Sequence, residues 1–243
     1  MPDTAIPEAR AAAQAYNEEL WSSIVQYGSY SKDSVTSAVE EYAQLLDLTG
    51  TGTMGYVHIP KLGVSLPIYH GTEEETLERG VGHLIGSSLP IGGSSTHAIL
   101  TGHSGLASQK MFSDLDKLEI GDTFYLEVLN EVLAYEVDQI NTVLPHDTTY
   151  LGLEENKDLC TLVTCTPFGV NTHRLLVRGH RIPYTPANTE NPTIELAETE
   201  ESVDSTWEQE YEKGVYLAIG IVALICLILF IVWLTQKGES NAA

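Results

Sequence analysis

Between Gly55 and Ile182 turn-forming residues cut the sequence into short apolar runs, and this pattern restricts the fold more than any other feature. The runs are GYVHIP (55–60), VSLPIYH (64–70), THAILTGH (96–103), TFYLEVL (123–129), VLAYEVDQINTV (132–143), CTLVTC (160–165) and HRLLVRGHRI (173–182). β-Branched and aromatic residues inside such runs, with Gly, Pro, Asn, Asp and Ser between them, are the signature of strands. A helical turn at Glu74–Arg79 and a Gly/Ser-rich loop at Gly86–Ser95 interrupt the series. Many short strands with few helices predict a mostly β fold, either a closed barrel or a sandwich. Cys160–Cys165 is apolar on both faces and reads as a central strand.

The flanks differ in character. Residues 1–50 read as helix, with one stripe at Tyr16, Leu20, Ile24 and Tyr27 and a second at Val35, Val39, Tyr42 and Leu46 behind a candidate N-cap, Asp33. The strand-bearing region is expected over residues 51–184. An acidic linker follows at 185–213, too poor in apolar residues to offset the entropy of ordering. Residues 214–235 are expected to form a transmembrane helix and 236–243 a short tail. The run Val215–Leu234 carries no charge and would reach roughly 30 Å as a helix, the thickness of a bilayer core. Tyr216 and Trp233 stand near its ends, and Lys237 follows it. The positive-inside rule then places the tail in the cytoplasm and the strand-bearing region outside the cell membrane. Met1–Arg10 is polar and lacks the apolar stretch of a signal peptide, so an export signal upstream of Met1 is expected.

Charge excludes one class of partner. With 12 Lys+Arg against 34 Asp+Glu the formal net charge is −22. Nucleic acid is not an expected partner, since binding it requires clustered basic groups. No CxxC or HExxH spacing suggests a metal, and no cofactor is expected.

The three cysteines are Cys160, Cys165 and Cys226, the last inside the apolar C-terminal run. Cys160 and Cys165, five apart in one strand, would face opposite ways at roughly 16 Å, well beyond disulfide reach. A working thiol needs a nearby cation to favour the thiolate and a donor facing the developing oxyanion. Cys165 ends one strand, Arg174 begins the next after the short loop TPFGVNT, and His103 follows an earlier strand in LTGHSGL. A hairpin would bring Cys165 and Arg174 side by side. Each residue also has a plainer reading. A cysteine in an apolar strand is more often a small core residue, Arg174 could lie on the surface, and any of eight histidines could be structural.

Longer segments carry a resemblance that favours the site. TLVTC (161–165) is similar to the TLxTC signature of sortases, the cell-wall transpeptidases of Gram-positive bacteria. GVGHLIGSSLPIGG (80–93), THAILTGHSGL (96–106) and TLVTCTPFGVNTHRLLVRGHRIPY (161–184) resemble class C, the pilin-polymerising sortases. The similarity runs from about Tyr16 to Tyr184, and a C-terminal membrane span is typical of that class. The resemblance implies an eight-stranded barrel with His103, Cys165 and Arg174 as catalytic residues. Cys165 would attack the Thr–Gly carbonyl of an LPxTG-like signal on a pilin or surface protein. His103 would move protons, and Arg174 would bind the peptide and the oxyanion. An amine, a pilin lysine in this class or a peptidoglycan precursor in a housekeeping-type sortase, would release the acyl group. A non-catalytic anchored scaffold or adhesin is the remote alternative. Thr164 is a candidate substrate contact; Cys160, His83, His97, His173 and His180 are expected to be packing or surface residues. One departure stands out. The Asp-Pro-aromatic lid motif usual in class C is missing, and Asp33-Ser34-Val35 stands near its place. A site without that lid, or with a different one, is therefore expected.

Overall fold

The computed structural model describes residues 5–27, 42–104 and 110–184. The expected linker, transmembrane helix and tail lie outside these residues, as does Asp33-Ser34-Val35. No helix among the described residues is long and apolar enough to cross a membrane.

Eight strands close into a barrel: β1 (Thr53–Ile59), β2 (Val64–His70), β3 (Val81–His83), β4 (Thr96–Thr101), β5 (Thr123–Val128), β6 (Glu131–Val143), β7 (Asp158–Thr166) and β8 (His173–Ile182). Their spatial order is β1-β2-β3-β4-β7-β8-β6-β5. The β2–β3 and β4–β7 pairs are parallel and the others antiparallel. Seven of these strands correspond to the apolar runs. The exception is β3, whose three residues are all buried and show no alternation. It also contains Gly82, where a Cβ would sit 2.3 Å from Gly71 O. A strand that short, with a glycine imposed by close backbone approach, carries no periodicity to read.

Strand alternation sorts the side chains into two layers. Val57, Ile59, Ile68, Leu100, Phe124, Leu126, Cys160, Leu162 and Val177 fill the barrel. A smaller cluster of Ile99, Val143, Val163 and Leu176 lies apart from it, with Leu84 and Leu151 packed against it. Cys160 belongs to the interior layer, whereas Cys165 has the parity of Val163. In β1 a register shift between Thr53 and Gly55 breaks the alternation, so Met54 and Val57 are both buried.

At the N-terminus α1 (Ala5–Tyr27) buries Ala13, Asn17 and Leu20 along one stripe. Tyr16 packs against the barrel core. Asn17 spans to the Gly/Ser-rich loop: its amide donates to Leu89 O (3.2 Å) and accepts from Leu89 N–H (2.7 Å). The buried Asn17 amide therefore acts as a short strand for that loop. Of the second stripe Tyr42 and Leu46 are buried; the side chains of Ile24, Tyr27, Val35 and Val39 lie outside the described set. The turn at Glu74–Arg79 forms α2.

Tyr42 and His83 join these pieces inside the fold. His83 is fully buried, with Nε2 against Ser88 O (2.8 Å) and Nδ1 against Tyr42 Oη (2.8 Å). Because Ser88 O can only accept, Nε2 carries the proton and Nδ1 accepts from the phenol. A protonated ring would lose that acceptor, and burial lowers the His83 pKa to about 4. The unfolded imidazole titrates near 6.5, so the unfolded chain binds the extra proton between these values. The contribution of His83 is complete above pH 6.5 and is lost as pH falls toward 4, by about 3 kcal/mol. Urea midpoints measured across this window should fall with pH, and His83→Gln should flatten the slope.

Candidate active site

β4 and β7 run parallel, with Thr96 opposite Asp158 and Thr101 opposite Val163. The ladder continues past the end of β4, because Gly102 N–H donates to Val163 O at 3.0 Å. His103 and Cys165, each two residues beyond the Thr101–Val163 pair, therefore come level on neighbouring chains. β7 and β8 form the hairpin anticipated from TPFGVNT, and Cys165 pairs with Arg174 in its register. The three candidate residues thus stand on consecutive strands, β4, β7 and β8, at one end of the barrel. Adjacent strands are about 4.8 Å apart. They share the parity of Val163 and Leu176 and face away from the interior.

Backbone contacts fix each residue. Thr164 is buried on the other face, and its hydroxyl donates to Gly102 O (2.8 Å). Phe112 N–H donates to His103 O (3.0 Å). Gly102 lies against Phe112, whose ring carbon would be 2.7 Å from a Cβ there. The peptide that carries His103 is therefore held from three sides. The expected role of Thr164 as a substrate contact has to reckon with a hydroxyl already spent on Gly102. Arg174 Nη1 donates to Asn171 O (3.2 Å) and His173 O (3.0 Å), turning the guanidinium back over the hairpin loop.

The two described thiols differ. Cys160 is buried, and desolvation holds its pKa well above the ordinary thiol value. Cys165 is half-buried. Phe168 and Val170 are exposed on the adjoining hairpin loop.

A polar cluster lies on the same three strands, nearer the start of β7. His97 is buried, with Nδ1 against Gly152 O (2.8 Å) and Nε2 against Thr161 Oγ1 (2.7 Å). Burial lowers its pKa, so the neutral ring donates to Gly152 O and accepts from Thr161. Arg178 grips Asp138 through Nε (2.9 Å) and Nη2 (3.0 Å) and Glu154 through Nη1 (2.7 Å). Gly152 and Glu154 belong to the connection between β6 and β7, which these two side chains fasten to the sheet. Leu151 of the same connection packs on the small apolar cluster. His83, expected as a packing or surface residue, is buried, and His180 is half-buried beside Asp138.

Glu74, the first residue of α2, has no role in the sequence reading. Its Oε1 lies 3.5 Å from His103 Nε2. An acid opening a helical turn is ordinary in sequence, and only the folding of α2 over the end of β4 exposes the pairing.

A thiol between an imidazole and a guanidinium at the rim of a closed eight-stranded barrel defines a cysteine acyltransferase type of site. The sortase domain model matches residues 57–182, and the chain belongs to the sortase family, whose members are cysteine transpeptidases. Sortase D of Bacillus subtilis (strain 168) is 31% identical over 160 residues, covering 65% of this chain and 77% of that protein. The crystal structure of sortase C1 from Streptococcus agalactiae is 47% identical with a TM-score of 0.68, covering 76% of this chain and 93% of that one. Sortase C-1 from Actinomyces oris is 43% identical with a TM-score of 0.66, covering 74% and 100%.

Proposed function

We propose that this sortase is a class C enzyme that polymerises pilins, with Cys165, His103 and Arg174 as its catalytic residues. The single observation behind this reading is the common level of the three, with His103 just past β4, Cys165 on β7 and Arg174 on β8. The likeness to sortase C structures supports the class.

In this reading the Cys165 thiol passes its proton to His103, and its sulfur attacks the threonine carbonyl carbon of an LPxTG-like signal. The carbonyl oxygen becomes an oxyanion facing the Arg174 guanidinium. His103 protonates the glycine nitrogen as the Thr–Gly C–N bond breaks, leaving a thioester on Cys165. A pilin lysine amine then attacks the thioester, gives its proton to His103 and forms an isopeptide bond as the Cys165 thiolate leaves. Thr164 holds the His103 strand through Gly102. The apolar run Val215–Leu234 anchors the enzyme in the cell membrane, with the barrel outside and the C-terminus cytoplasmic.

The products test the class. Incubation with an LPxTG-bearing pilin should give a ladder of covalent multimers resistant to boiling in detergent. A single species joined to a peptidoglycan-precursor amine, without a ladder, would show a housekeeping-type enzyme instead.

A further inference from the structure

His103 Nε2 has almost no solvent access and makes no aligned hydrogen bond among the described residues. A buried ring nitrogen without a partner is costly, and in a native site it usually indicates a group awaiting its occupant or partner. The carboxylate within ion-pair distance is Glu74, with Oε1 at 3.5 Å. It is carried by α2, which lies between β2 and β3 in sequence. β3 pairs with β4 through Gly82–Thr101, so the helix lies over the rim where β4 gives way to His103.

We propose that Glu74 is a positioning residue for transpeptidation. Its carboxylate holds His103 Nε2 as the proton-bearing ring nitrogen and leaves Nδ1 to exchange protons with Cys165 and the substrate amines. This rests on the acid–base role assigned to His103 above.

The chemistry follows from what each atom can do. An ionised carboxylate only accepts, so a nitrogen facing it must carry hydrogen. In the neutral ring this selects the Nε2–H tautomer and puts the lone pair on Nδ1. In the protonated ring the same carboxylate lies against the positive charge. The distance in the free enzyme is long for a hydrogen bond, and contacts of this kind tighten when substrate is bound. Among the described residues, Glu74 from α2 faces His103, and register places Cys165 of β7 and Arg174 of β8 on the neighbouring strands. Arg174 and Glu74 carry opposite charges, so Glu74 also offsets the repulsion between the guanidinium and an imidazolium.

The Glu74 side chain is 75% exposed and that of His103 22%. Water and salt screen such a pair, so the effect should be moderate and sensitive to ionic strength. A simple helix-stabilising acid would affect the melting of α2 and leave the chemistry unchanged. The two roles therefore predict different measurements.

The test compares the wild type with Glu74→Gln and Glu74→Asp, using a sorting-signal peptide and a lysine-containing acceptor. With the proposed role, Glu74→Gln lowers kcat/KM about five- to tenfold at low salt. The gap to wild type narrows in high salt, and Glu74→Asp recovers part of the loss. Nitrogen-15 chemical shifts of His103 should also show less of the Nε2–H tautomer in the Gln variant. An unchanged kcat/KM at low salt and an unchanged tautomer balance in a folded Glu74→Gln protein would overturn the proposal. His103→Asn separates this failure from that of the underlying reading. An inactive His103→Asn protein beside an unperturbed Glu74→Gln protein removes only Glu74 from the scheme; an active His103→Asn protein removes the acid–base role itself.

Discussion

Cys165→Ala is expected to leave the barrel intact and to abolish capture of a sorting peptide. The side chain lies at the end of β7 on the face away from the interior and is half-buried, so removing its sulfur leaves no cavity in the core. No other described residue can replace it. Cys160 is in the same strand but belongs to the packed interior, and its thiol is held in the neutral form by burial. Intact-mass measurement after mixing with peptide should show the acyl adduct on wild type and none on Cys165→Ala. Cys160→Ala makes the complementary control: it should lose about 1 kcal/mol of stability to the missing contacts and keep the adduct. An adduct on Cys165→Ala would overturn the mechanism.

Arg174 is expected to give the next largest effect. Arg174→Ala should reduce kcat about a hundredfold or more, the scale seen when an oxyanion donor is removed. Arg174→Lys should recover little of it. Nη1 is occupied by Asn171 O and His173 O, which orient the planar group and leave its other N–H donors for the substrate. A lysine ammonium has no rigid fork and cannot both hold the loop carbonyls and face the oxyanion. Single-turnover rates of thioester formation measure the acylation step directly. A loss confined to KM would show that Arg174 binds peptide without acting on the transition state.

The sequence was informative where function coincides with strand periodicity. Seven strands were readable from alternating apolar runs, and the hairpin that pairs Cys165 with Arg174 followed from the shortness of TPFGVNT. The plainer readings of those residues gave way only because the signature segments resemble a known family. β3 was not legible, since three buried residues around a glycine have no period. His97 was expected to be a packing or surface residue. It is buried, yet its two nitrogens join Thr161 to Gly152, residues distant from it in sequence. Glu74 was missed for the same reason. Its partner lies on another element, and one chain without folded coordinates gives no sign that α2 and the end of β4 meet. Alternation turns Thr164, a candidate substrate contact beside Cys165, to the opposite face, where its hydroxyl donates to Gly102 O.

The fastening of the β6–β7 connection at Gly152 and Glu154 divides the molecule into parts with different tolerance for change. Thiol, imidazole and guanidinium keep their spacing through the backbone ladder of β4, β7 and β8, which no connection sets. The stretch from Leu144 to Tyr150, with Leu144 and Tyr150 exposed, leaves the sheet beside Arg174 and precedes the fastening points. It is therefore the segment that a protein engineer can exchange, or natural selection can vary, while the reaction centre keeps its spacing.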